Sequence, residues 1–143
     1  DGDLDLFIVK QIPLWDLNYA GELVKSKLFR NETNKTNNWL KVQLIGEEAT
    51  TRGLGSRVSV VLGETKLIRE VDGGSSHISQ NSPISHFGLG DFTMIDSLIV
   101  NWPGGKKQVL TNVNVNQIVT IEEIESKEES FMDWIINFFN FMK

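Results

Sequence analysis

Alternation of apolar and polar side chains is the main pattern between residues 39 and 124. Leu40, Val42 and Leu44 are separated by single polar residues. The same period of two returns in the runs 57–62 and 97–102. Such a period places alternate side chains on opposite faces of a β-strand, so each run is predicted to be a strand with one buried face. Helical spacing is absent here, which favours an all-β domain over alternating strands and helices.

Short strands separated by glycine-bearing turns are predicted along the whole of this region. The predicted strands are 40–44, 57–62, 66–71, 77–80, 85–89, 97–102, 106–110 and 117–122. The turns between them fall at 53–55, 63–64, 72–74 and 103–105, all of which contain glycine. A set of strands of this size predicts an antiparallel β-sandwich over residues 38–124.

The chain on either side of this region has a different character. Residues 4–9 and 27–30 are predicted to be two further strands, followed by a polar connector rich in Asn and Thr. Two strands cannot bury an apolar face alone, so residues 1–37 are expected to pack on the sandwich or on upstream sequence. Residues 125–143 begin with an acidic linker and continue as an apolar run at helical spacing, which predicts an amphipathic α-helix.

Three roles are open for the predicted C-terminal helix. It covers the sandwich or a neighbouring domain, it mediates self-association, or it lies on a membrane surface. The membrane hypothesis is the weakest on chemical grounds, because the polar face lacks the Lys and Arg residues that attract anionic lipid.

Composition and charge exclude several classes of protein. The chain has 143 residues, no Cys and two His, with 14 basic residues against 19 acidic ones. Thiol catalysis, cysteine zinc sites and disulfide scaffolds are therefore excluded. A basic stripe is missing, which argues against nucleic-acid binding. No apolar run reaches the ~20 residues of a transmembrane span.

The first residues, Asp1-Gly2-Asp3-Leu4-Asp5, are the clearest candidate metal ligands. Carboxylates spaced closely around a glycine turn can bring oxygen atoms onto a hard cation such as calcium. In a calcium loop of this kind, Asp1 precedes the turn, Asp3 contributes its carbonyl and Asp5 closes the site. The first two ligands of the loop would precede residue 1. The other interpretation is an exposed acidic segment that binds no metal.

A hydrolase site is not predicted from the serine and histidine residues. Asp72, Ser75, Ser76 and His77 are neighbours in the sequence, but the glycine-serine-glycine elbow of hydrolases is absent. His86 lies in a predicted strand, where a half-buried histidine usually has a structural role. Nine residues separate the two histidines and no third ligand type is grouped with them, which argues against a zinc site. No catalytic residue is therefore assigned.

Six short motifs in a fixed order resemble the ASPIC/UnbV domain over about residues 39–123. They are Arg52-Gly-Leu-Gly-Ser-Arg-Val58, Arg69-Glu-Val-Asp-Gly-Gly74, Ser79-Gln80, His86-Phe-Gly-Leu-Gly90, Ile95-Asp-Ser-Leu98 and Trp102-Pro-Gly-Gly105. Residues 1–37 are similar to the last FG-GAP/VCBS-type repeat that precedes this domain, with Asp1-Gly-Asp-Leu-Asp-Leu-Phe7 and Lys27-Leu-Phe-Arg-Asn31 as the matching segments.

The resemblance implies a secreted or cell-surface protein in which calcium-binding repeats form a β-propeller and this domain caps its C-terminal end. It implies no catalytic residues, and it places Asp1, Asp3 and Asp5 at ligand positions of the repeat. The predicted function is a non-catalytic interaction or structural module whose partners are the upstream propeller and a surface protein or glycan, with loops 72–77 and 79–83 as contact sites. The alternatives are a carbohydrate-binding module using an exposed aromatic such as Trp15 or Tyr19, and an accessory domain of a secreted enzyme.

Overall fold

The computed structural model of the chain describes residues 3–9, 26–32, 36–47, 50–74 and 80–124. These residues contain strands and connecting turns, and no helix. The strands are β1 (Leu6–Ile8), β2 (Lys27–Phe29), β3 (Asn38–Ile45), β4 (Arg57–Leu62), β5 (Thr65–Glu70), β6 (Ser85–Gly90), β7 (Met94–Asn101), β8 (Lys107–Asn114) and β9 (Gln117–Glu122). The predicted C-terminal helix lies outside the described residues, as does most of the predicted strand 77–80.

The strands form two larger sheets and a two-stranded ribbon. One sheet has the order β6-β3-β9, the other has the order β5-β4-β7-β8, and β1 pairs with β2 in the ribbon. The predicted strands at 40–44, 57–62, 66–71, 85–89, 97–102, 106–110 and 117–122 are confirmed, and β8 extends to Asn114. The all-β class is therefore confirmed for the described part of the chain.

One pairing departs from the predicted antiparallel arrangement. β3 and β9 run parallel, in register from Leu40 with Gln117 to Ile45 with Glu122, whereas the other pairs of described strands are antiparallel. Alternation along a strand reveals its buried face but not the direction of a partner that is distant in sequence. β3 and β9 are the first and last strands of the two larger sheets, so no hairpin turn imposes an antiparallel pairing on them.

The two larger sheets share one hydrophobic core. The three-stranded sheet contributes Leu40, Val42, Leu44, Phe87, Leu89 and Ile121. The four-stranded sheet contributes Val58, Val60, Leu62, Ile95, Leu98, Val100 and Val113. Alternate residues of β3 and β6 are buried and their neighbours are partly or fully exposed. This distribution is the one expected when two sheets of a β-sandwich pack face to face.

The turn before β4 requires glycine for two independent reasons. Gly53 has a φ of 64°, which L side chains rarely adopt, and a Cβ atom placed on it would lie 2.6 Å from Cβ of Leu44. Its N–H donates to the carbonyl of Thr50 at 2.8 Å, and its own carbonyl accepts from Ser56 at 3.0 Å. Gly53 therefore allows this turn to lie directly against β3.

Side chains of the four-stranded sheet join it to the end of β9. The indole N–H of Trp102 donates to Oε1 of Gln108, and Nε2 of Gln108 donates to the carbonyl of Glu122 at 2.9 Å. Nζ of Lys106 donates to the carbonyl of Ile124 at 3.1 Å. We call these contacts of Trp102, Lys106 and Gln108 the β8–β9 bridge. They connect the two sheets on the side where β8 and β9 share no backbone ladder among the described residues.

Buried Glu123 extends this connection to β3. Its N–H donates to the carbonyl of Ile45 at 2.8 Å, and its Oε2 accepts from the N–H of Glu47 at 3.0 Å. Oε1 lies 3.7 Å from Nζ of Lys106. The Glu123 carboxylate thus lies between the N–H of Glu47, which follows β3, and Nζ of Lys106, which directly precedes β8. Glu123 itself follows β9, so it connects the ends of three strands.

Gly53→Ala is expected to destabilise the domain by about 3 kcal/mol, because it combines a left-handed backbone with a clash against Leu44. The measurement is the free energy of unfolding from urea denaturation, with the slope unchanged. The matched control is Gly104→Ala, since a Cβ atom at Gly104 has no neighbour within 4 Å. A similar loss in both variants would contradict this explanation.

Gln108→Leu is expected to lower the free energy of unfolding by about 2 kcal/mol, because it leaves the Trp102 indole N–H and the Glu122 carbonyl without their partner. Urea denaturation measures the loss, and amide exchange at residues 122–124 is expected to become faster. Gln43→Leu, at an exposed position of β3, serves as the control and should change stability by less than about 0.5 kcal/mol. Unchanged stability of Gln108→Leu would show that the bridge has no energetic role.

Candidate functional site

The predicted calcium ligands lie at the start of the ribbon. Asp1 is outside the described residues, Asp3 is half-buried and Asp5 is exposed. Oδ1 of Asp5 accepts a hydrogen bond from the backbone N–H of Asn31 at 2.8 Å. This bond connects the segment before β1 to the segment after β2. Within the described ranges, no three His, Asp or Glu side chains are grouped so that they could hold a metal ion. The calcium loop therefore stays a prediction.

The residues considered for a hydrolase are only partly described. Ser75, Ser76 and His77 lie outside the described residues. Asp72 and His86 line one cleft of about 530 Å³, together with Arg69, Glu70 and Ser82. The cleft carries both acidic and basic groups and opens beside the predicted contact loop 79–83. It brings together polar residues from three separate stretches of chain, including Asp5.

Most motif positions have a clear structural task. The N–H of Gly55 donates to the carbonyl of Val71 at 2.7 Å, and Val71 returns a bond to Ser56 at 2.9 Å, so two of the motifs pair with each other. Oδ2 of Asp96 accepts from the N–H of Gly63 at 2.6 Å and fixes the β4–β5 turn. Trp102 belongs to the β8–β9 bridge. These residues build the turns and strand connections of the domain.

Strand β6 contains a motif glycine without such a task. Its buried residues are Ser85, Phe87 and Leu89, so the glycines of the His86-Phe-Gly-Leu-Gly90 motif lie on the outer side of the three-stranded sheet. Gly90 has a φ of 57° and lies beside an irregular register in the β3–β6 pairing, which explains the glycine. Gly88 has no positive φ, and a Cβ atom there would meet no atom of the described residues within 4 Å. Neither its backbone conformation nor packing against the described part of the chain requires glycine at position 88.

The surface around Gly88 contains an aromatic residue and a cation. Trp39 is the cross-strand partner of Gly88, and Lys41 is the partner of His86 on one side and of Ile118 on the other. Nζ of Lys41 lies 5.2 Å from the centre of the Trp39 ring, within the range of a cation–π interaction. We call this outer surface, formed by Trp39, Lys41, His86, Gly88 and Ile118, the Trp39 face.

The backbone of Trp39 is held at both of its polar groups by one residue. The N–H of Trp39 donates to Oδ1 of Asn116 at 3.1 Å, and the N–H of Asn116 donates to the carbonyl of Trp39 at 2.7 Å. Nδ2 of Asn116 also donates to Oδ1 of Asn38 at 2.7 Å. Asn116 adopts a φ of 59°, a conformation that Asn tolerates better than most residues. Trp39 is therefore a positioned residue of the sheet.

Sequence reasoning missed this surface. It named Trp15 and Tyr19 as candidate ligand-binding aromatics, and both lie outside the described residues. The signal for Trp39 was present in the alternation, because burial of Leu40, Val42 and Leu44 places residue 39 on the opposite face. The pairing of Trp39 with Gly88 required the fold, since 49 residues separate the two positions.

Comparison with known protein families matches residues 46–128 to the family described as ASPIC and UnbV. The chain belongs to this family. The match begins immediately after β3 and covers the strands from β4 to β9. β3 precedes the matched residues, yet it is the central strand of the three-stranded sheet.

Curated relatives of this ASPIC/UnbV chain carry one name. The chain is 35% identical to cartilage acidic protein 1 of Homo sapiens over 101 residues, which is 68% of this chain and 14% of that protein. The Mus musculus protein of the same name is 34% identical over 103 residues, and the Xenopus tropicalis protein is 36% identical over 83 residues. The chain thus spans about one seventh of the length of the human and mouse relatives.

The described residues of the ASPIC/UnbV chain contain strands and turns. None of their elements is a helix with the length and apolar character needed to cross a bilayer.

Proposed function

We propose that this chain is a non-catalytic, extracellular or cell-surface module that caps a calcium-binding β-propeller and contacts proteins or matrix. The observation that carries the proposal is the ribbon of β1 and β2. Its apolar side chains are exposed on both faces, with Phe7 61% exposed and Leu28, its cross-strand partner, 66% exposed. Leu6, Ile8 and Phe29 are exposed as well.

An isolated two-stranded ribbon is at best marginally stable in water. A ribbon that is apolar on both faces needs cover on both, and neighbouring blades cover both faces of a blade inside a propeller. The FG-GAP/VCBS-like sequence of residues 1–37 supports the same partner. Since the chain spans 14% of the human relative, strands from the remainder of a longer protein are the proposed cover.

The proposed extracellular location rests on the relatives, whose name describes an acidic protein of cartilage. The proposal of a non-catalytic role is supported by the motif residues, because Gly53, Gly55, Asp96 and Trp102 serve turns and strand connections. Asp3 and Asp5 offer the hard oxygen atoms that calcium prefers. In the proposed site they contribute ligands beside the ribbon, together with residues that precede Asp1.

Phe7→Ser distinguishes a capped ribbon from a free one. In the 143-residue chain it is expected to change the free energy of unfolding by less than about 0.5 kcal/mol, because the side chain is exposed. In a longer form of the natural protein that includes the preceding repeat, the loss should reach about 2 kcal/mol, because the side chain is then buried. Denaturant unfolding of both lengths measures the difference.

The control for this comparison is Val109→Ser, at an exposed position of β8. It should have the same small effect in both lengths, since β8 lies at the opposite edge of the four-stranded sheet from β5, whose Arg69 and Glu70 line a cleft with Asp5. Equal effects of Phe7→Ser in the short and the long protein would contradict the capping proposal.

Calcium binding is expected to depend on the residues before Asp1. The 143-residue chain should bind calcium about tenfold more weakly than the longer form, because ligand number and charge set the affinity. Asp3→Asn in the longer form should abolish most of this gain, whereas Asp91→Asn, at an exposed position after β6, should leave it unchanged. Isothermal titration with calcium chloride measures both. Tight binding that survives Asp3→Asn would exclude this site.

A further inference from the structure

The Trp39 face has the chemical features of a binding platform. Trp39 supplies an aromatic ring, Lys41 supplies a cation beside it, and Ile118 is 56% exposed next to Lys41. Gly88 leaves the space opposite Trp39 open, since a Cβ atom there would meet nothing within 4 Å. The surface at Gly88 is thus open beside the half-buried Trp39.

The glycine is the most informative part of this surface. Glycine in a strand interior costs stability and lacks the β-propensity of Thr or Val. Where neither a bulge nor packing requires it, glycine in a strand is found where a ligand or another backbone approaches closely. Gly88 meets this description, whereas Gly90 is explained by its φ of 57°.

A second aromatic residue lies at the edge of the face. Phe92 is 46% exposed, and its carbonyl accepts from Nδ2 of Asn38 at 2.9 Å. Its backbone is therefore fixed beside the residue that precedes Trp39. The network of Asn38, Asn116 and Phe92 holds two aromatic residues at one end of the three-stranded sheet.

Lys41 is the charged residue that β3 places on this side of the sheet. The chain as a whole has a formal charge of −5 with both histidines neutral, so Lys41 is a local cation on an acidic protein. Glu122 is the acid that β9 places on this side, and it pairs with Ile45 at the far end of β3 from Trp39. The end of the face that carries Trp39 is therefore complementary to an anion.

We propose that the Trp39 face binds an acidic saccharide, with the C–H face of a sugar ring on Trp39, the ring edge over Gly88 and its carboxylate or sulfate at Lys41. Aromatic rings present apolar faces to such C–H groups, while a lysine supplies the charge. Carbohydrate binding, the alternative that the sequence leaves open, thereby gains a specific surface. The inference does not depend on the capping of a propeller.

Affinity electrophoresis and isothermal titration of the 143-residue chain test the proposal with four polymers. Polygalacturonate presents carboxylates, dextran sulfate presents sulfates, dextran is a neutral saccharide and polyglutamate is a polyanion without sugar. We expect binding to at least one acidic polysaccharide and much weaker binding to dextran and polyglutamate. Which acidic polymer binds more tightly identifies the anionic group. No binding to either acidic polysaccharide, or equal binding to polyglutamate, would overturn the proposal.

Gly88→Thr tests the proposed ligand position most directly. The added side chain has room in the fold, but it fills the open space beside Trp39. It should retain or raise the melting temperature and weaken polysaccharide binding by about tenfold. Gly104→Thr, at a second glycine with open space around it, is the matched control and should bind normally. Normal binding by Gly88→Thr would overturn the proposed position of the ligand.

Two further variants separate the contributions of the ring and the charge. Trp39→Ala should weaken binding to the acidic polymer by about tenfold at low and at high salt. Lys41→Gln should weaken it at low salt and remove most of the salt dependence. Unchanged affinity in both variants would overturn the proposal, whereas the Phe7→Ser comparison tests propeller capping separately.

Discussion

The parallel pairing of β3 with β9 is the constraint on which the two larger sheets depend. It places the first and last strands of the sandwich side by side and closes a topology that local hairpins alone would leave open. The pair is reinforced from the opposite sheet, because Gln108 and Lys106 donate to carbonyls at the end of β9. Glu123 completes the connection by binding the N–H of Glu47 beyond β3. These contacts add polar connections between β8 and the end of β9, where the described residues show no backbone ladder between the two strands.

The family motifs acquire a physical meaning within this frame. Gly53 allows a turn to lie against Leu44, Asp96 fixes the turn at Gly63, and Trp102 is buried beside the bridge. Each of these residues stabilises a turn or a connection between strands. Gly88 has no such task, because its backbone conformation is ordinary and the space around it is open. Gly90, in the same short motif, differs from Gly88 because its φ of 57° explains the glycine.

The ribbon and the Trp39 face are two surfaces with different chemistry. The ribbon is apolar on both sides, which suits burial against further strands. The Trp39 face combines one aromatic ring with a cation and exposed backbone, which suits a polar ligand that has an apolar side. In the two proposals these surfaces have different partners: further strands cover the ribbon, and an acidic saccharide binds the Trp39 face.

The sequence by itself determined the strands, because a period of two in side-chain polarity follows directly from the geometry of a strand. It also determined the turn positions, since Gly53, Gly63 and Gly105 stand where a positive φ is needed. Motif order was sufficient to indicate the family. Alternation along β3 also places Trp39 on the face opposite the buried Leu40, Val42 and Leu44.

Only the tertiary structure decided which strands meet. The direction of β9 beside β3 and the contact of Gln108 with Glu122 join residues whose separation in the chain carries no local signal. The Trp39 face depends on the same information, because Trp39, Gly88 and Asn116 come from three distant segments. Strand formation is a local property of the chain, whereas strand pairing depends on how separate segments share one core. For this reason the elements could be predicted and the candidate binding surface could not.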